Sequence, residues 1–138
     1  MITTRDGAHV YRKIIEANDS CLFNSLGYAF YASRELAPKL RKFVADKILA
    51  DPINFNHAIL GRNPKDYSAW IQTSTSWGGA IEMMILSEYF KSEIVAVDTV
   101  NVRYDIFGQG KGYSQRVCLI YSGIHYDLCV KNLHPERM

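Results

Sequence analysis

The 138-residue sequence predicts an α/β fold of the α+β kind, a helical lobe packed on a mostly antiparallel β-sheet. Two observations predict it. Apolar residues recur at helical spacing through 36–50 and 80–90. Four runs rich in β-branched and aromatic residues then crowd into 93–130. Hydrophobic residues at 48% and charged residues at 22% match an ordinary folded domain, which argues against disorder. The length suits one domain spanning 1–138, with its core over about 11–130.

The elements follow in chain order. Residues 11–16 read as a short strand or lead-in to the turn Asn18-Asp19-Ser20. Those three side chains are common helix N-caps, able to accept from free backbone N–H groups. Cys21 to about Tyr31 reads as a buried helix built on Leu22, Phe23, Leu26, Ala29 and Phe30. Over 36–50, Leu36, Leu40, Phe43, Val44, Ile48 and Leu49 keep near-helical spacing, while Arg41, Lys42, Asp46 and Lys47 fill the polar face. Asp51-Pro52 ends that helix. Short helices are expected over 53–60, stopped by Gly61, and over 66–73 around Trp70, with a turn at Asn63-Pro64 between them.

Gly78-Gly79 precedes the helix at 80–90, which offers Ile81, Met84, Ile85, Leu86 and Tyr89 to the core. Strands are expected over 93–99, 102–107, 116–121 and 124–130. The glycine-rich segment 108–112 is a loop between strands with no helix after it, so it does not fit a phosphate site. Ser122-Gly123 suits a tight hairpin turn.

Several function classes are disfavoured by the totals. A formal net charge of +2, with no dense Lys/Arg block, points away from nucleic acid and from an anionic membrane. No apolar run approaches the roughly 20 residues that cross a bilayer. The polar stretch Met1 to Val10 lacks an export signal. Three cysteines, at 21, 118 and 129, form neither a disulfide framework nor a metal-ligand pattern. A reducing compartment, cytoplasm or nucleus, is therefore expected, with no metal and no organic cofactor.

The residues that carry chemistry lie near the two ends. Cys21 stands where a polar turn becomes an apolar helix, and the free N–H groups and positive dipole end of a first turn favour a thiolate. The same N–H groups can hold the oxyanion formed when a thiolate attacks a carbonyl. His125 and Asp127, two apart on an expected strand, would share a face, where the carboxylate can fix the imidazole tautomer. Taken singly, each has a plainer reading: a buried helix cysteine and a surface His–Asp pair. Other candidates are weaker. His9 and His134 lie in polar end segments and are expected to be exposed, and His57 is expected to be partly buried on a helix. Cys118 and Cys129 read as small buried hydrophobes, and Met83-Met84 as helix core or surface.

At these residues the sequence resembles the ovarian-tumour (OTU) family of cysteine deubiquitinases, whose fold is papain-like. The resemblance is carried by several blocks in order. They are Arg12-Lys13-Ile14-Ile15, Cys21-Leu22-Phe23-Asn24, Ile59-Leu60-Gly61, Trp77-Gly78-Gly79-Ala80-Ile81-Glu82, Glu93 to Asp98, Phe107-Gly108 and Leu119 to Asp127. They look most like the subgroup that works with the AAA unfoldase of endoplasmic-reticulum-associated degradation. The resemblance implies a ubiquitin thioesterase and isopeptidase acting on conjugates or polyubiquitin. In it Cys21 is the nucleophile, His125 the general base, Asp127 its orienter, and the turn Asn18, Asp19, Ser20, Cys21 the oxyanion loop. The family's Asp three before the cysteine falls on Asn18, which would keep the turn and cap the helix.

The same resemblance implies contacts to the ubiquitin tail from Ile124, Trp77, Gly78 and Tyr126, with the 108–113 loop as a further contact. A narrow cleft would select the tail's two glycines. Ubiquitin and, through the family, the AAA unfoldase are the implied partners of a monomer. The N-terminal ubiquitin-like docking domain and C-terminal zinc finger usual in the subgroup have no counterpart in these 138 residues. A catalytically inactive ubiquitin-binding module, favoured only by the order Asn18-Asp19, is the alternative.

Overall fold

The computed structural model describes residues 2–3 and 9–132, with side chains from Arg12 to Val130. Two strands, β1 (Ile2–Thr3) and β2 (His9–Lys13), open the chain. Five helices follow: α1 (Cys21–Tyr31), α2 (Ala37–Ala50), α3 (His57–Leu60), α4 (Pro64–Ile71) and α5 (Ala80–Phe90). Strands β3 (Ser92–Asp98), β4 (Arg103–Phe107), β5 (Gln115–Tyr121) and β6 (Tyr126–Asn132) complete the fold. The sheet order is β1-β2-β6-β5-β3-β4, antiparallel throughout except for β3 beside β5. The helical lobe on a mostly antiparallel sheet is the predicted architecture.

One hydrophobic core joins the two layers, with Phe23, Leu26, Val44, Ile48, Leu86, Ile94 and Leu119 inaccessible to solvent. Helix α1 lies against β6 and α5 against β3, so the nucleophile's helix rests on the strand that carries Asp127. Helix α1 stops where Ala32 turns left-handed at φ 53° and donates its N–H to Gly27 and Tyr28 carbonyls. At the start of α5, the Glu82 carboxylate accepts the Gly79 N–H at 2.7 Å.

The structure moves several predicted features. Ser20 is the N-cap of α1 but makes no side-chain cap, and Asn18 does not cap either. Its Oδ1 instead accepts the N–H of Ser20 at 2.9 Å, a short-range turn that competes with capping. Helix α3 begins only at His57, because Asn56 caps it by accepting the Ile59 N–H at 3.1 Å. His57 is exposed rather than partly buried, since on so short a helix only Leu60 turns inward. Arg41, expected on the polar face of α2, is 2% exposed. Cys118 and Cys129 pair across β5 and β6 and are half-buried. Met83 is core and Met84 is on the surface. The side chain of His9, and all of His134, lie outside the described residues.

Candidate active site

Three segments build the site. The polar turn before α1 sets Cys21 at the first helical position, and the apolar run Leu22, Phe23, Leu26 anchors that helix in the core. The β5–β6 hairpin supplies His125 and Asp127. Its loop spans four residues, with Tyr121 opposite Tyr126, rather than the tight two-residue turn expected at Ser122-Gly123. The Ser122 N–H donates to the His125 carbonyl at 3.0 Å and closes it. His125 therefore precedes β6, and the loop rather than strand alternation aims its ring.

The imidazole and carboxylate meet as the sequence suggests: His125 Nε2 lies 2.8 Å from Asp127 Oδ1. Two partners of that carboxylate were invisible in the sequence. The Ile15 N–H donates to the same Oδ1 at 2.8 Å, from a residue 112 positions away. Arg12 Nε stands 3.7 Å from Oδ2, but its side chain is 57% exposed, so water screens that attraction. Asp127 itself is buried. It is thus held against the sheet by the backbone leading into the cysteine turn.

Cys21 is 7% exposed, and the hairpin reaches it directly: the Tyr126 N–H donates to Sγ at 3.4 Å. The hairpin and the helix start are therefore joined at the thiol. Burial pushes the Cys21 thiol above its ordinary value, and the charge of Asp127 adds to this. The N–H groups of Tyr126, Leu22 and Cys21 pull the other way and lose. A helix start alone does not ionise this thiol, so the favourable effect expected from the sequence is outweighed by desolvation. With Asp127 at Nε2, Nδ1 is the ring nitrogen that the carboxylate does not engage.

In the turn itself, the Cys21 N–H makes only a long bond of 3.2 Å to the Asn18 carbonyl. Among the described residues the Asp19 N–H finds no acceptor. These two groups remain available to an oxyanion, while the Ser20 N–H is held by Asn18. Asn18 also accepts from Asn24 Nδ2 at 3.4 Å, so its side chain shapes the turn.

A cleft of about 30 Å³ opens beside Cys21, lined by Trp77 and Gly78 from the α4–α5 connection and by Tyr121, Ile124 and Tyr126 from the hairpin. Trp77 Nε1 donates to Asp19 Oδ1 at 2.6 Å, which ties that connection to the cysteine turn. Ile124 is 73% exposed and Trp77 54% exposed, so the cleft has apolar lips. A roomier depression at Tyr31, Leu36, Phe43 and Tyr89 contains none of these groups. Among the described residues no cluster of three metal-binding side chains exists, and no helix is long and apolar enough to cross a membrane.

Gly78 is required by contact rather than by backbone angle. A Cβ there would stand 2.7 Å from Leu22 Cδ2 and 3.0 Å from Phe23 Cε2, directly behind Cys21. Gly78→Ala is expected to lower unfolding stability by about 1–3 kcal/mol, the usual range for overpacking. Urea denaturation followed by circular dichroism checks this, and an unchanged midpoint would contradict the crowding.

Sequence comparison extends these observations. The family model for OTU-like cysteine proteases matches residues 17–130. The Arabidopsis thaliana protein "OVARIAN TUMOR DOMAIN-containing deubiquitinating enzyme 2" is 42% identical over 118 residues, 86% of this chain and 57% of that protein. The Mus musculus "Ubiquitin thioesterase OTU1" is 44% identical over 124 residues, 88% of this chain but 36% of that protein. The chain thus spans between a third and three-fifths of these relatives. Among solved structures, an OTU domain in complex with ubiquitin superposes with a TM-score of 0.86 at 32% identity, covering 91% of this chain and 72% of that one. A ubiquitin-bound OTU deubiquitinase from Wolbachia pipientis, at 18% identity and a TM-score of 0.71, shares the fold.

Proposed function

The chain belongs to the OTU family of cysteine proteases, and from that premise we propose that it is a ubiquitin thioesterase and isopeptidase. The observation that carries this reading is that the hairpin holding the His125–Asp127 pair donates its Tyr126 N–H to Cys21 Sγ, beside one narrow cleft. His125 Nδ1 takes the Cys21 proton, and the resulting thiolate attacks the carbonyl of ubiquitin's terminal glycine. The oxyanion is held by the N–H groups of Cys21 and Asp19. His125 then passes its proton to the leaving lysine amine, with Asp127 holding the imidazolium in orientation. Water, deprotonated by the same histidine, hydrolyses the thioester and frees the enzyme.

The cleft supports the substrate assignment. Between Trp77, Gly78 and Ile124 the space is too small for side chains, which suits a tail ending in two glycines. Tyr126 contributes its backbone to the thiol and its ring to the cleft wall. Asn18 keeps the turn that an aspartate makes elsewhere in the family, so its presence does not favour an inactive binding module. The family resemblance further supports a monomeric cytoplasmic enzyme that serves the AAA unfoldase in endoplasmic-reticulum-associated degradation.

Two measurements test the activity. Wild type is expected to be captured covalently by ubiquitin bearing a C-terminal electrophile, and to cleave at least one linkage in a panel of di-ubiquitins. Tight binding without capture or cleavage would instead identify a non-catalytic module. Failure of both binding and cleavage would move the chemistry to another acyl substrate.

A further inference from the structure

We propose that Arg41 is a positioning residue for acyl transfer: its buried guanidinium locks the oxyanion turn and joins it to the Trp77 side of the cleft. This deepens the assignment above and rests on it. Arg41 comes from the middle of α2, yet four acceptors from two other segments converge on it. Nη1 donates to the Ile71 carbonyl at 2.9 Å, at the end of α4. Nη2 shares its two hydrogens among Ser20 Oγ at 2.9 Å, the Asp19 carbonyl at 3.1 Å and the Ser74 carbonyl at 3.3 Å. The guanidinium carbon also sits 4.5 Å from the centre of the Phe23 ring, two residues beyond the nucleophile.

These contacts define the turn from behind. Asp19 is gripped at both ends, its carbonyl by Arg41 and its carboxylate by the Trp77 indole. Ser20 is gripped through its hydroxyl, which is also 3.4 Å from the Ser74 carbonyl. With the Asp19 carbonyl drawn back toward Arg41 and the Ser20 N–H held by Asn18, little freedom remains to re-aim the Asp19 and Cys21 N–H groups. Small errors in the aim of such donors reduce acyl transfer sharply.

A purely architectural role explains the residue poorly. Among the described residues the buried Nε–H of Arg41 has no partner, and burial lowers the guanidinium's proton affinity against the help of Glu82 and Asp19. A buried cation with an unused donor is a weak stabiliser compared with a packed apolar side chain. Lysine is a poor replacement, since a single ammonium nitrogen cannot reach the Ile71 carbonyl held by Nη1 together with the acceptors held by Nη2.

The test compares two reactions of Cys21 in Arg41→Lys and Arg41→Met. The first is acylation by the p-nitrophenyl ester of acetyl-glycylglycine, in which an S–C bond forms, the ester C–O bond breaks and nitrophenolate leaves. The second is alkylation by iodoacetamide, which passes through no oxyanion. A variant with a loosened turn is expected to acylate roughly 10–100-fold more slowly, the scale of a misdirected oxyanion donor. Its alkylation rate should stay within about threefold of wild type, because the thiol and His125 are untouched. Hydrolysis of a ubiquitin C-terminal amide should lose kcat with KM nearly unchanged.

Parallel loss of both reactions, or loss of neither in folded Arg41→Lys, would overturn the proposal. So would failure of both variants to fold by circular dichroism at low temperature, since the side chain would then serve the fold. If wild type consumes the ester but not the ubiquitin amide, the ubiquitin assignment fails while the ester still decides the role of Arg41. If wild type consumes neither, both fail.

Discussion

Cys21→Ala is expected to eliminate turnover of ubiquitin conjugates, by at least ~10⁴-fold, while leaving the fold and ubiquitin binding intact. Of the three described thiols, only that of Cys21 lines the cleft, so no second cysteine stands ready to substitute there. The side chain is small and its bond to the hairpin is a weak acceptance from the Tyr126 N–H, so truncation leaves little to repair in the core. A di-ubiquitin cleavage assay reads the activity, and isothermal titration with ubiquitin reads the binding. Residual turnover above that level would place the nucleophile elsewhere.

The companion variant His125→Ala tests how the thiol is activated. Burial raises the Cys21 pKa, so without the imidazole the thiolate must form against desolvation. Because a raised thiol pKa means the proton is held to higher pH, alkylation in His125→Ala is expected to rise only above the ordinary thiol range. In wild type the reactive fraction should appear at lower pH, where His125 accepts the proton. Coincident profiles in the two proteins would show that the helix start, not the histidine, makes the thiolate.

The second large effect falls on Asp127. One oxygen of that side chain serves both His125 Nε2 and the Ile15 N–H, at 2.8 Å each. Asp127→Ala therefore removes the orienter and strands a buried backbone donor together. The expected losses are ~10²–10⁴-fold in kcat and about 1–3 kcal/mol in unfolding stability. Asp127→Asn keeps an oxygen where both donors need it, gives up the charge and sets an NH2 in place of Oδ2 toward the exposed Arg12. It is expected to retain near-native stability and to lose activity by roughly tenfold, the share due to a charged rather than neutral acceptor. Steady-state kinetics beside urea denaturation separates the two, and equal damage from both substitutions would show that the charge matters more than the geometry.

Much of the architecture was legible because hydrophobic period is a local property. The stripes on 36–50 and 80–90 marked α2 and α5 to within a residue at each end, and the β-branched runs located β3 to β6. Boundaries were less legible where one polar side chain decides them. Asn56 starts α3 at His57 by capping, and Asn18 folds back on Ser20 instead of capping α1. Arg41 was misplaced by its charge alone. Its spacing from Ala37, Val44 and Ile48, at four, three and seven positions, already lies on the buried stripe of α2.

The sequence by itself determined which reactive groups are present. A cysteine at a polar-to-apolar boundary and a His-x-Asp element make acyl transfer possible through local composition, and the blocks between them carry the resemblance to the OTU family. Only the tertiary structure decided how that chemistry is held. The thiol meets the hairpin across 105 positions, and Asp127 meets Ile15 across 112. Burial raises the thiol's pKa where the helix start favoured the opposite, and a guanidinium from α2 grips the turn before the nucleophile. Desolvation and hydrogen-bond partnership are properties of what surrounds a group in space. A linear pattern encodes the group itself, while its surroundings exist only once the helical lobe closes on the sheet.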